Sequence, residues 1–98
     1  MELRLAAILI SDIVGYTKLM ETDTQGTVTK WTDARDTVVE PEVESKGGRL
    51  VKFLGDGFLA EFSTVQKALE CAIAIQNGVR ENSLKFRMAV HLGDIIDD

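Results

Sequence analysis

The stretch GGRLVKFLGDGFLAEF, residues 47–62, sets one carboxylate, Asp56, between two glycines and two apolar runs, with a single cation, Lys52, four residues earlier. On its own Asp56 reads as turn chemistry, because Asp-Gly is a common way to close a hairpin. A second carboxylate changes that reading. Asp12 stands where the apolar run LRLAAILI gives way to Ser11-Asp12; alone it reads as a helix cap or turn residue. Two carboxylates converging beside a glycine-rich turn make a hard, oxygen-rich site suited to Mg²⁺ or Mn²⁺. Two such ions clamp the attacking and leaving oxygens of an in-line phosphoryl transfer. The segment Ile13-Val14-Gly15-Tyr16-Thr17 turns into a helix N-terminus, whose free N–H groups favour phosphate oxygens. Thr17 alone would be an N-cap. The pattern points to chemistry on a nucleoside triphosphate.

Whether the two carboxylates meet depends on the elements that carry them. Leu3 to Ile10 is apolar on both alternations, which predicts a central strand buried on both faces. A short helix follows from Tyr16 or Thr17. From Thr24, the spacing of Val28, Trp31, Val38 and Val39 predicts a longer helix that Pro41 kinks or ends and Gly47-Gly48 stops. Residues 48–54 and 57–62 read as a hairpin about Gly55-Asp56. With that turn, Val51, Phe53, Phe58, Ala60 and Phe62 share one face, and Leu50, Lys52, Leu54, Leu59 and Glu61 share the other. A lysine among three leucines marks a covered surface with a use for one cation.

Ser63 and Gln66 form a capping box for a helix carrying Val65, Leu69, Ala72, Ile73 and Val79 on one face. The last strand alternates Phe86, Met88, Val90 and Leu92 against Lys85, Arg87, Ala89 and His91. The order β-α-α-β-β-α-β predicts an α+β fold, the ferredoxin-like split β-α-β, with helices on one face of an antiparallel sheet. In that topology the first strand is central and lies beside the hairpin. Asp12 then comes near Asp56.

Ninety-eight residues, 45% of them hydrophobic, suit one globular domain. A net charge of −5 with scattered basic residues argues against binding a nucleic-acid backbone, which wants a basic patch. Cys71, the single cysteine, falls in an apolar helical pattern and reads as a small core residue in a reducing compartment. The N-terminal apolar run is too short for a signal peptide or a membrane span. The expectation is a cytoplasmic segment without membrane contact, although a piece of a membrane-tethered parent would read the same way. His91 alternates onto a polar strand face and is not expected to bind metal. Asp94, Asp97 and Asp98 resemble a third acidic site but read as a solvated end.

Taken together, LAAILISDIVGYTKLM, GGRLVKFLGDGFLAEF and FRMAVHLGDI resemble, in order and approximate spacing, the class III nucleotidyl cyclase catalytic domain of the adenylyl/guanylyl cyclase family. The resemblance implies that Asp12 and Asp56 hold two Mg²⁺ or Mn²⁺ ions, helped by the backbone carbonyl of Ile13. It implies that amides of Val14, Gly15, Tyr16 and Thr17 cradle the triphosphate. Lys52 matches the base-recognising position, where lysine goes with adenine and glutamate with guanine. The family works as a homodimer with shared sites, the metal carboxylates coming from one subunit and the base reader from the other.

A second base-selecting residue and the asparagine and arginine that stabilise the transition state belong to a later stretch, similar to GVNxAARL. None of it occurs in these 98 residues. The resemblance therefore makes residues 1–98 the N-terminal portion of the domain. The leading expectation is a parent adenylyl cyclase converting ATP to 3′,5′-cyclic AMP and pyrophosphate, with the isolated chain inactive. One competing reading is a non-catalytic nucleotide-binding or dimerisation module. Another is a guanylyl or diguanylate cyclase-like relative. Against the diguanylate form, the hairpin reads Leu-Gly-Asp-Gly-Phe rather than Gly-Gly-Asp/Glu-Glu-Phe, and Lys52 favours adenine over guanine.

Overall fold

The computed structural model describes residues 2–97. Asp98, expected to sit in the acidic end, lies outside the described residues, as does the side chain of Asp97. Strand β1 (Glu2–Ile13) leads into helices α1 (Tyr16–Thr22) and α2 (Thr24–Ala34), a π-helical turn (Arg35–Val39) and helix α3 (Glu40–Ser45). Strands β2 (Arg49–Leu54) and β3 (Gly57–Phe62), helix α4 (Val65–Gly78) and strand β4 (Phe86–Asp97) complete the order. The four strands form one sheet in the order β2-β3-β1-β4, and every neighbouring pair is antiparallel. This is the expected ferredoxin-like α+β arrangement, with β1 central.

The helices cover one face. Ala7, Leu9 and Ile13 of β1, Phe58, Ala60 and Phe62 of β3, and Phe86 of β4 are buried there. They pack against Trp31, Ala34, Val39 and Val43 from the first helical stretch and Ala68, Cys71, Ile75 and Val79 from α4 and its end. Trp31 lies edge-on to Phe53 at 6.0 Å between ring centroids and 5.7 Å from Phe86, so one indole joins both outer strands. Burial, and then the charge of Glu42, pushes the Cys71 thiol up to about 11, which keeps it a neutral core side chain at physiological pH.

Local chemistry accounts for the helix ends. The Asp23 carboxylate accepts a hydrogen bond from the Gly26 N–H at 2.9 Å and caps α2. Pro41 neither ends nor sharply breaks the helical path: it sits in the first turn of α3, directly after the π turn. Proline offers no N–H and its ring collides with the carbonyl four residues back, and a locally widened turn takes up that conflict. At the far end Gly47 adopts φ 73°, while Gly48 N–H donates to the Val43 carbonyl at 2.9 Å and Gly47 N–H to that of Glu44 at 3.0 Å. That is the glycine stop expected from the sequence.

Three expectations need correction. β1 is not buried on both faces, since Ile10 points to the open face and Leu3 and Leu5 are 70% and 61% exposed. The first residues of β1 run past the end of β3, whose pairing stops at Ala7–Phe62, and pair there with β4 alone. The buried stripe of α4 is Ala68, Cys71 and Ile75, whereas Leu69 and Ile73, expected inside, are 48% and 62% exposed. Both stripes have helical spacing; the one with the small residues lets the helix axis approach the sheet. The cap of α4 is Thr64, which accepts from Lys67 N–H at 3.1 Å, one residue later than the expected Ser63.

Ser11 faces the core, and its hydroxyl is buried with no hydrogen-bond partner among the described residues. An unmet buried hydroxyl costs about 1–3 kcal/mol. We therefore expect Ser11→Ala to raise stability by about 1 kcal/mol in urea unfolding; a loss of similar size would show that the hydroxyl is satisfied.

Candidate active site

The end of β1 and the tip of the β2–β3 hairpin are joined by backbone. Ile13 N–H donates to the Asp56 carbonyl at 2.7 Å, and on the other side Val14 N–H donates to the Lys85 carbonyl at 2.8 Å. Asp12 lies opposite Gly57 in the β1–β3 ladder. A Cβ on Gly57 would stand 1.8 Å from the Ser11 carbonyl oxygen, so only glycine permits this approach. The two-residue turn Gly55-Asp56, closed by the Leu54–Gly57 pair, thus delivers Asp56 to the corner where Asp12 leaves the sheet. The backbones of Asp12 and Asp56 are neighbours at this corner, as the topology predicts. N–H and C=O of one strand residue point to the same side, so the Ile13 carbonyl is also directed at the hairpin tip.

Arg87 completes this corner, although sequence reasoning put it no further than the polar face of the last strand. It lies opposite Asp12 in the β1–β4 ladder and grips its carboxylate with two bonds, Nε to Oδ1 at 3.1 Å and Nη2 to Oδ2 at 3.0 Å. Those hydrogen bonds, and then the charge of Asp12, raise the guanidinium pKa above its ordinary value; Asp56 adds to the rise. Strand alternation puts Arg87 on the same side as Asp12, but only the register identifies the two as partners.

The loop into α1 places Gly15 in the left-handed region at φ 68°, as the residue before the helix. Its carbonyl accepts the first helical bond, from Leu19 N–H at 3.0 Å. Thr17 is thus inside the helix rather than its cap. The amides of Gly15, Tyr16 and Thr17 have no carbonyl one turn back to bond. Val14 differs, because its N–H is already committed to Lys85; as a phosphate donor it would have to give up that bond.

Lys52 is exposed on the open face, opposite Leu59. The register of β2 shifts between Leu50 and Lys52, making Val51 an extra residue. This bulge corrects the expected faces. Leu50 pairs with Ala60 and packs against the core, while Lys52, Leu54 and Leu59 stay on the open side with Ile8 and Ile10 of β1. Phe53 keeps its expected inward place, against Trp31 and under the Arg35 guanidinium at 5.3 Å. No ion pair to Lys52 is present among the described residues.

Glu61 shares that face and is nearly buried, its side chain 7% exposed. Arg4 Nη2 donates to both of its oxygens, at 2.8 and 3.0 Å, and Arg49 Nε to one at 2.6 Å. Burial alone would raise the Glu61 pKa, but the hydrogen bonds from Arg49 and Arg4, with their charges, outweigh it and hold the carboxyl below its usual value. Asp94 lies at the opposite end of β4 from Arg87, paired with Leu5, and His91 is exposed opposite Ile8. Among the described residues, no three acidic, histidine or cysteine side chains gather to hold a metal ion. The candidate centre is two carboxylates with a backbone carbonyl.

No family model matches the sequence. Over 101 residues, 95% of this chain, it is 41% identical to "Putative adenylate cyclase 3" of Rhizobium meliloti, of whose length it spans 17%. The crystal structure of an adenylate/guanylate cyclase/hydrolase from Silicibacter pomeroyi matches 99% of this chain with a TM-score of 0.86 and 37% identity; the chain spans 62% of it. A dimeric guanylyl cyclase domain from the aquatic fungus Blastocladiella emersonii shares the fold over 98% of this chain and 62% of its own, with a TM-score of 0.85 at 14% identity. By sequence and by fold, the chain is a relative of the adenylyl/guanylyl cyclase catalytic domains.

The Glu61 cluster gives a pH test. A carboxyl whose pKa is lowered by folding stabilises the fold above its unfolded value, near 4.5, and loses that contribution as pH falls through the folded value. Glu61→Gln should cost about 1–2 kcal/mol at pH 7, allowing for two partly exposed arginines. In urea unfolding from pH 7 to pH 3, the difference from wild type should shrink below pH 4.5. A difference that stays constant would mean that the charge of Glu61 does not matter.

Proposed function

We propose that the parent protein converts ATP to 3′,5′-cyclic AMP and pyrophosphate, and that residues 1–98 form the N-terminal, metal-binding part of its catalytic domain. The observation that carries this reading is the corner itself: Asp12 lies opposite Gly57, and the Ile13 N–H bonded to the Asp56 carbonyl at 2.7 Å brings the hairpin tip against the end of β1. Two aspartates and a backbone carbonyl at one corner offer the hard oxygen donors that Mg²⁺ or Mn²⁺ requires. Asp12, Asp56 and the Ile13 carbonyl would hold two such ions. Bound there, they supply charge neutralisation and a lowered pKa for the attacking ribose 3′-hydroxyl.

The chain's own groups do the rest. Amides of Gly15, Tyr16 and Thr17, and of Val14 once freed from Lys85, bind the triphosphate. Lys52 donates to an adenine ring nitrogen and so favours ATP over GTP, with glutamate the expected choice for guanine. The resemblance sets Lys52 and the carboxylates of one site on different subunits, which makes a homodimer part of the function. The open face, with Ile8, Ile10, Leu54 and Leu59 around Lys52, is the surface we assign to that contact. The isolated chain, without the family's later asparagine and arginine, binds nucleotide and does not turn it over. We place the parent's cyclase domain in the cytoplasm, where ATP is found; among the described residues no helix is long and apolar enough to cross a membrane.

Two measurements test the reading. Calorimetry should show Mn²⁺-dependent ATP binding that Asp56→Ala removes and that is weaker for GTP; binding unaffected by Asp56→Ala, or by leaving out the metal, would sink the metal assignment. Light scattering should show a concentration-dependent dimer that Leu54→Glu shifts to monomer by tenfold or more in dissociation constant, since it buries a charge in an apolar contact. A chain that stays monomeric at high micromolar concentration would remove the open face from the dimer.

A further inference from the structure

A second cation stands at the corner beside Arg87. Lys85 directly precedes β4, two residues ahead of that arginine. Its backbone is fixed there: the Lys85 carbonyl accepts the Val14 N–H at 2.8 Å, one step beyond the Ile13–Phe86 pair at the end of the β1–β4 ladder. Phe86 is buried under the helices, so alternation turns Lys85 and Arg87 together to the open face. About 6.6 Å of strand separates the two, and Lys85 lies on the side of Val14 and the turn into α1. They differ in what they hold. Arg87 grips Asp12, whereas Lys85 is exposed and, among the described residues, its ammonium has no hydrogen-bond or ion-pair partner.

We infer that Lys85 is a further substrate-binding residue, its ammonium contacting the terminal phosphates of ATP. The inference rests on the proposed reading of the Asp12–Asp56 corner as the triphosphate site. Val14 shows what the lysine adds. The Val14 amide, one of the donors which that reading assigns to the phosphates, is committed to the Lys85 carbonyl. The residue that takes this donor returns a stronger one to the same place, since an ammonium offers a full charge and three N–H groups where an amide offers one N–H. Lysine suits the task, because its charge sits on a flexible four-carbon stem that follows an anion without requiring a fixed planar geometry. Charge balance points the same way. Two divalent ions are offset in part by the carboxylates that hold them, which leaves the outer oxygens of a triphosphate short of positive charge. Lys85 supplies it from the rim, with no carboxylate among the described residues competing for it.

The test uses the whole 98-residue chain with Mn²⁺, as wild type, Lys85→Ala and Lys85→Arg, each checked for folding by circular dichroism. Lys67→Ala, at an exposed position of α4, serves as the control with the same change in net charge. Calorimetry reads the affinity for ATP, for tripolyphosphate, which has no base, and for AMP, which has no terminal phosphates. Lys85→Ala should weaken ATP and tripolyphosphate binding about three- to ten-fold and leave AMP binding unchanged. Lys85→Arg should stay within about twofold of wild type, Lys67→Ala should match wild type, and the deficit of Lys85→Ala should shrink as salt rises. ATP binding by Lys85→Ala equal to wild type, an equal loss for AMP, or the same loss in Lys67→Ala overturns the lysine contact alone. Absence of Mn²⁺-dependent ATP binding by the wild type overturns the triphosphate site and the contact with it.

Discussion

The contact on which the rest of the structure depends is the one between the Gly57 backbone and the Ser11 carbonyl. No side chain fits there, and because none is present the hairpin tip can reach the end of the central strand. The Ile13–Asp56 backbone bond is the first consequence, and the run of six paired positions from Asp12–Gly57 to Ala7–Phe62 is the second. That register places Phe58, Ala60 and Phe62 under the helices and Leu59 and Glu61 on the open face. A slip of one residue would reverse all of them. The placement of Asp56 beside Asp12 is therefore not separable from the packing of the core: one ladder sets both.

The open face balances charge with unusual economy for a sheet surface. Among the described residues, Asp12 on this face pairs with Arg87, and Glu61 with Arg4 and Arg49. The two cases differ in burial, and that decides what they are good for. Glu61 is nearly enclosed and held from two sides, so its pair is structural and loosens only in acid. Asp12 and Arg87 are exposed, so their pair forms readily and breaks readily. Between them lies an apolar strip from Ile8, Ile10, Leu54 and Leu59, with Lys52 as the cation on it. A face of that composition suits a contact that is partly dry and also has to receive a polar ligand.

The helical layer shows how modest side chains control the site from a distance. Ala68 and Cys71, small residues on the buried stripe of α4, let that helix lie close over the sheet, and the Trp31 indole packs against both Phe53 and Phe86. Phe53 can reach Trp31 because the regular pairing that starts at the Gly55-Asp56 turn sets it opposite Phe58, on the core side. The same pairing leaves Lys52, opposite Leu59, on the other side, facing outward, while the bulge at Val51 turns Leu50 inward. The hairpin turn thus determines the direction of the one residue assigned to reading a base.

Much of this was legible in the residues alone. The element order, the glycine stop at Gly47, the Gly55-Asp56 turn, the alternation of β4 and the meeting of Asp12 with Asp56 all follow from local spacing plus the few topologies such an order allows. These depend on backbone preferences and on period, which a sequence carries directly. What the tertiary structure alone decided depends on contacts between distant segments. It put Leu50 inside through a bulge, chose the Ala68–Cys71–Ile75 stripe of α4 over the Leu69–Ile73 one, left Leu3 and Leu5 uncovered, and gave Asp12 to Arg87. In each case two local patterns were equally good, and the choice fell to which surface could approach its neighbour closely or which charge the register set opposite another. Period and propensity cannot express that, because it is a property of two segments at once.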